Sequence, residues 1–178
     1  MQAPPPTTPS VQPDAQERGF GGIFSKLMEE HAEALALLNE IFRSAGTERE
    51  ALYWKLRVDL RNHEKSESLV LYAEIERHAG GHEIAAYHLR DATKLEVAID
   101  ALDALSVYDS GWGEAFSRLA SLVRDHIERE ESLVFPAALS LLGKFVTRQL
   151  RSRYLDAKLL VTKTDELGPE RAKSGAEK

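Results

Sequence analysis

The chain has 178 residues, enough for one domain with a single sizeable core, and carries a net charge of -6 with a pI near 5.6. It contains no cysteine, which excludes disulfides, thiolate metal sites and a cysteine nucleophile, and no basic patch suggests nucleic acid or an anionic membrane surface as partner. The opening MQAPPPTTPSVQPDAQ has neither the basic nor the apolar segment of a secretory signal, and no run of about 18 apolar residues follows, so a cytoplasmic protein that spans no membrane is expected.

Residues 1–18 are dominated by Pro, Thr, Gln and Ser and cannot bury enough apolar surface to offset the ordering of the chain; a disordered arm is expected there. From Ile23 the apolar residues recur at three and four, with Ile23, Leu27, Ala34, Leu38 and Ile41 on one side of a helix over 22–44. Ala45, Gly46 and Thr47 break it, and a second helix is predicted over 48–78, with Leu52, Leu56, Leu60 and Val70 inward, ending before Gly80 and Gly81. A third spans 82–105 on Ala85, Ala92, Leu95, Ile99 and Leu102, and the turn-rich SVYDSGW leads to a fourth over 113–142, which Pro136 should kink. Phe145, Leu150, Leu155 and Leu159 mark a further helix over 144–166, and the tail 168–178 is expected to be disordered. With no alternating strand pattern, the fold class is all-α. It reads as an up-down antiparallel four-helix bundle over 19–142, followed by an additional C-terminal helix over 143–167.

Two short stretches do not suit a simple apolar seam. DHIERE at 125–130 and NHEKSE at 62–67 each place a glutamate four residues after a histidine, in helices whose neighbouring positions are core-facing. On a helical wheel His126 and Glu130 fall within about 20° of Leu119, and His63 and Glu67 lie about 40° apart. His31 shares the stripe of Leu27 and Leu38, and His88 that of Ala92, Leu95 and Ile99. A lone histidine on such a stripe is ordinarily a hydrogen-bonded core residue. A glutamate in mid-seam is different, because a buried, unpaired carboxylate costs at least several kcal/mol and needs a cation or a proton. His78 and His82 fall off the stripe and read as surface residues. Glu64, Glu128 and Glu131 read as solvated, with Glu64 close enough to His63 to swing toward a metal; whether His82 or Glu64 also ligates is left open. Four imidazoles and two carboxylates are too many for one tetrahedral zinc and suit two six-coordinate ions that share carboxylates.

His31 in EEHAEAL, His63 and Glu67 in NHEKSES, His88 in YHLRDATKL, and His126 and Glu130 in DHIEREESLVFPA resemble the hemerythrin HHE cation-binding domain over about residues 20–142. The resemblance implies a four-helix bundle holding a non-haem di-iron centre. His31, His63, His88 and His126 would be iron ligands and Glu67 and Glu130 bridging carboxylates. It implies binding or processing of dioxygen, nitric oxide or hydrogen peroxide, or alternatively a metal-stabilised sensor or regulatory module for iron or oxygen without turnover. The second helix departs from the family pattern, reading Glu67, Ser68 and then Tyr72, Ala73, where two adjacent glutamates and a later proline are usual. Oxygen carriers have a fifth histidine, so four here favour an exchangeable ligand on one ion. The absence of cysteine speaks against the iron-sulfur repair branch.

Overall fold

The computed structural model describes Ala15 and residues 18–167, with side chains described as far as residue 162. Every regular element among them is helical: α1 Ile23–Arg43, α2 Gly46–Glu67, α3 Ala73–Ile75, α4 Gly81–Asp103, α5 Trp112–Arg129 and α6 Phe135–Leu167. Two π-helical turns, Ser68–Tyr72 and Glu130–Val134, join α2 to α3 and α5 to α6 without a break. The expected arm at 1–18 and tail at 168–178 lie outside the described residues, apart from Ala15 and Arg18. Ala15 is buried, and Arg18 bonds to Glu131. No described helix is long and apolar enough to cross a membrane.

The breaks follow from local chemistry. Ser44 and Ala45 are extended, and the Ser44 amide and hydroxyl both close the last turn of α1 by donating to Glu40 O and Ile41 O. Between α3 and α4, Gly80 is left-handed (φ 83°), and a Cβ on Gly81 would stand 1.8 Å from Ile75 O, so the chain turns this tightly only with glycine at both positions.

The π-turns correct the expected pattern. Each adds a residue to a turn, which rotates everything beyond it by about 100°. Leu133 and Ala137, which a regular helix would place within about 40° of the buried Leu119, are exposed, while Phe135 and Ala138 are fully buried. Glu131, expected in solvent, is buried. Pro136, expected to kink the helix, sits immediately after the second π-turn, and the larger break comes at Gly143 (φ 73°, ψ 164°), dividing α6 into 135–142 and 144–167. Of the stripe expected on the last helix, Leu150 alone is buried: Phe145, Leu155 and Leu159 are exposed, and Tyr154 and Val161 are buried beside Leu150. Residues five apart fall about 140° apart on a helix, so Phe145 cannot share a face with Leu150.

The C-terminal half of α6 lies against α1 and α2, with Thr147 over Gly22 and Thr162 bonded to Asn62. The apolar interior forms two clusters. One gathers Leu38, Leu56, Leu60, Leu95, Phe116 and Val123, the other Phe24, Leu27, Leu71, Ile75, Phe135 and Tyr154. On α1, Leu27 and Ala34 belong to different clusters with His31 between them; on α2, Leu60 and Leu71 flank His63 and Glu67; on α5, Val123 and the following Phe135 flank His126 and Glu130. The polar residues thus form a layer between two hydrophobic cores.

Candidate metal centre

All six residues singled out from the sequence are buried and meet in this layer, in two groups. His31, His63 and Glu130 form one; Glu67, His88 and His126 form the other together with Glu64, and within each group the donor atoms lie within 4.8 Å of one another. Glu130 connects them: its Oε2 is 3.3 Å from His31 Nε2 and 3.4 Å from His126 Nε2, and its Oε1 is 3.3 Å from His88 Nδ1. His63 Nε2 lies 3.6 Å from Glu67 Oε2 across one helical turn, and Glu64 Oε1 lies 2.9 Å from His126 Nε2.

Eight donor atoms in this layer are buried without a hydrogen-bond partner: Nε2 of His31, His63 and His126, Nδ1 of His88, Oε2 of Glu64 and Glu130, and both carboxylate oxygens of Glu67. Unsatisfied buried polar atoms are rare in folded proteins, and eight converging from four helices fit cations as the missing partners. The far sides of the imidazoles fit the same reading. His31 Nδ1 bonds Glu131 Oε1 (2.9 Å), His63 Nδ1 bonds Glu30 Oε2 (3.0 Å), His126 Nδ1 faces Asp91 Oδ2 (3.5 Å), and His88 Nε2 bonds Ser68 Oγ (3.0 Å). A ligating histidine characteristically donates its other N–H to such a group, which fixes the tautomer and leaves the inner lone pair free.

Protonation differs sharply among the carboxylates. Burial raises the Glu67 carboxyl well above the ordinary range, and repulsion from Glu130 and Glu64 adds to it. Burial also opposes ionisation of Glu130, but His126, His31 and His88 outweigh it and hold that carboxyl well below the ordinary range. His126 is the counterpart: burial alone would lower it, yet Glu130, Glu64 and Asp91 push it up to about 10. Without a cation the layer favours the ionised form of Glu130 and the neutral form of Glu67; a bound cation would supply charge that favours the ionised form of both.

The structure adds residues that the sequence reading set aside or did not consider. Glu64 belongs to the second group, whereas His82 is an exposed residue bonded to Glu76. Glu131 is turned inward by the π-turn. Glu30 and Asp91 lie one residue before His31 and three after His88, and are found only once the helices are packed. Tyr72 stacks on His88, with ring centroids 3.6 Å apart, and its hydroxyl donates to Glu130 Oε1 at 2.6 Å. A cavity of about 110 Å³ adjoins His31, His63, Glu64 and His126; Leu60, Leu95, Val123 and Ile127 supply apolar wall, and Glu33, Lys55, Asp59 and Lys158 stand at its polar edge.

Residues 22–138 match the family model described as the hemerythrin HHE cation-binding domain. A solved structure of similar fold is that of a hemerythrin HHE cation-binding domain-containing protein from Mycobacterium kansasii. It is 18% identical, the alignment covers 79% of this chain and 87% of that one, and the TM-score is 0.70, a likeness of fold. No curated protein matches the chain.

Proposed function

The chain belongs to the hemerythrin HHE cation-binding domain family, and on that premise we propose that it is a non-haem di-iron protein that binds or processes dioxygen, nitric oxide or hydrogen peroxide in the core of an up-down antiparallel four-helix bundle in the cytoplasm. His31, His63 and Glu130 would hold one iron, and Glu64, Glu67, His88 and His126 the other, with Glu67 and Glu130 as the carboxylates available to both. The observation that carries this reading is the set of eight buried, unpartnered donor atoms with each imidazole held from behind. The iron pair supplies electrons and exchangeable coordination positions for the small ligand.

The chain's own residues do the rest. Glu131, Glu30, Asp91 and Ser68 keep the imidazoles in the tautomer that presents a lone pair inward. The cavity beside the centre limits the ligand by size. About 110 Å³ suits a molecule of two to a few heavy atoms, since a drug-sized ligand needs roughly 300 Å³ or more. Its wall of Leu60, Leu95, Val123 and Ile127 offers no hydrogen bonds to a larger polar substrate and keeps bulk water from the centre. The test is the near-ultraviolet and visible spectrum of the iron-loaded protein under oxygen, nitric oxide and peroxide. A new charge-transfer band with at least one of them is expected, and a featureless spectrum with all three would sink the reading.

A second reading, a metal-stabilised sensor without turnover, draws on one observation: the carboxylates behind His31 and His63 are bonded to chain outside the matched segment. It predicts a large rise in melting temperature with metal and no consumption of any of the three ligands.

A further inference from the structure

Glu30 Oε2 gathers three partners: His63 Nδ1 at 3.0 Å, the Tyr154 hydroxyl at 2.6 Å and Lys158 Nζ at 2.9 Å. Tyr154 and Lys158 are on the C-terminal half of α6, beyond the segment 22–138 that carries the family match. Tyr154 is fully buried, and its hydroxyl also stands 3.3 Å from His63 Nδ1. Packing alone would have been met by phenylalanine; a buried phenol needs a polar partner, and here it has the carboxylate that orients a histidine. With Glu30 fixed, His63 Nδ1 must donate to it, which leaves the Nε2 lone pair facing the layer, where that atom has no partner. Lys26 also approaches Glu30, at 3.5 Å and from the outer side of α1, which could draw the carboxylate away from His63.

His31 shows the same dependence at the other end of the chain. Glu131, which holds its Nδ1, is itself gripped by Arg18 through the carboxylate (2.5 Å) and the backbone oxygen (2.6 Å). The second group differs. Asp91 behind His126 is held by Arg129 and Lys94, and His88 is held by Ser68, all of them within 22–138.

We propose that the two metal positions are supported by different parts of the chain, and that Tyr154 and Lys158 are positioning residues for the His31, His63 and Glu130 position, which the matched domain alone leaves incomplete. The inference rests on the metal-binding reading of the layer. It makes the C-terminal helix part of the centre, so that one ion binds with the helix seated and the other binds irrespective of it.

The experiment is an anaerobic titration of the full-length, metal-stripped chain with cobalt(II) against a chelator of known affinity, following the visible cobalt bands. Wild type, Tyr154→Phe combined with Lys158→Met, and Lys158→Arg alone are compared, with the melting temperature of each metal-free chain. Wild type should take two equivalents. The double variant should keep one at wild-type affinity and bind the second about 10 to 100 times more weakly, the loss typical of removing support from a ligating histidine; Lys158→Arg should behave as wild type. Wild-type affinity for both equivalents in the double variant overturns the inference. So does equal weakening of both together with a lower metal-free melting temperature, which means that the helix only packs. A wild-type chain that takes fewer than two equivalents removes the two-ion reading itself, and the inference with it.

Discussion

The two His-x-x-x-Glu pairs are followed by the same backbone device, and the aromatic residues that stack on the facing histidines differ in one hydroxyl. Five residues after His63, Ser68 bonds His88; five after His126, Glu131 bonds His31. Nine residues after His63, Tyr72 stacks on His88; nine after His126, Phe135 stacks on His31, with centroids 5.8 Å apart and planes 11° from parallel. In both halves the π-turn brings these two residues to the facing histidine; a regular α-helix would direct the residue nine along about 180° from the histidine that starts the pair. Tyr72, however, donates to Glu130, while Phe135 has nothing to donate and Glu67 keeps both oxygens unpartnered. One buried carboxylate has a phenol donor and three facing histidines, and the other has no hydrogen-bond donor at either oxygen.

The largest effect that sharpens this contrast lies in the metal-free protein. Glu130→Gln removes the charge that three histidines face and should destabilise the chelated chain by about 3 kcal/mol, as breaking a buried ion pair does. Glu67→Gln replaces a carboxyl already neutral in the fold and should change stability by less than about 0.5 kcal/mol. Urea denaturation of the two chelated variants checks this, and equal losses would erase the distinction between the carboxylates. Tyr72→Phe removes the hydroxyl that distinguishes the two aromatic residues and should cost about 1.5–3 kcal/mol in the same assay, the worth of a hydrogen bond to a charged group. A null result there would mean that Glu130 finds a substitute donor. The smallest effect concerns the register that the π-turns impose: Leu133→Ser, on the exposed face, should change stability by less than about 0.5 kcal/mol, whereas a regular helix would bury Leu133 and make the substitution costly.

Much of the centre was legible in the sequence because it depends on local periodicity. His31, His63, His88 and His126, with Glu67 and Glu130, lie on the apolar stripes of their helices, and counting along each helix was enough to gather them. Counting failed just past the π-turns, where an added residue rotates the face; Glu131 and Leu133 exchanged places for that reason, and nothing in ESLV or EESLV alone announces it. Pairings between distant segments were also hidden. Glu30 precedes His31 at the edge of the buried face of α1 and becomes a support for His63 only when Tyr154 arrives from a helix more than a hundred residues later. On the last helix the expected stripe mixed two faces: Phe145, Leu155 and Leu159 lie within about 80° of one another on the exposed side, and Leu150 lies about 140° from Phe145, so the residue that matters beside Leu150, Tyr154, was passed over.

Whether this buried layer holds two ions is decided by the iron content per chain of protein expressed in iron-supplemented medium and purified without chelator. Two irons per chain are expected, falling to one or none in His126→Ala while the chain remains helical. A folded, cooperatively melting wild-type chain that carries no metal would contradict the two-ion reading, and the eight unpartnered atoms would then have to be satisfied by protons and water.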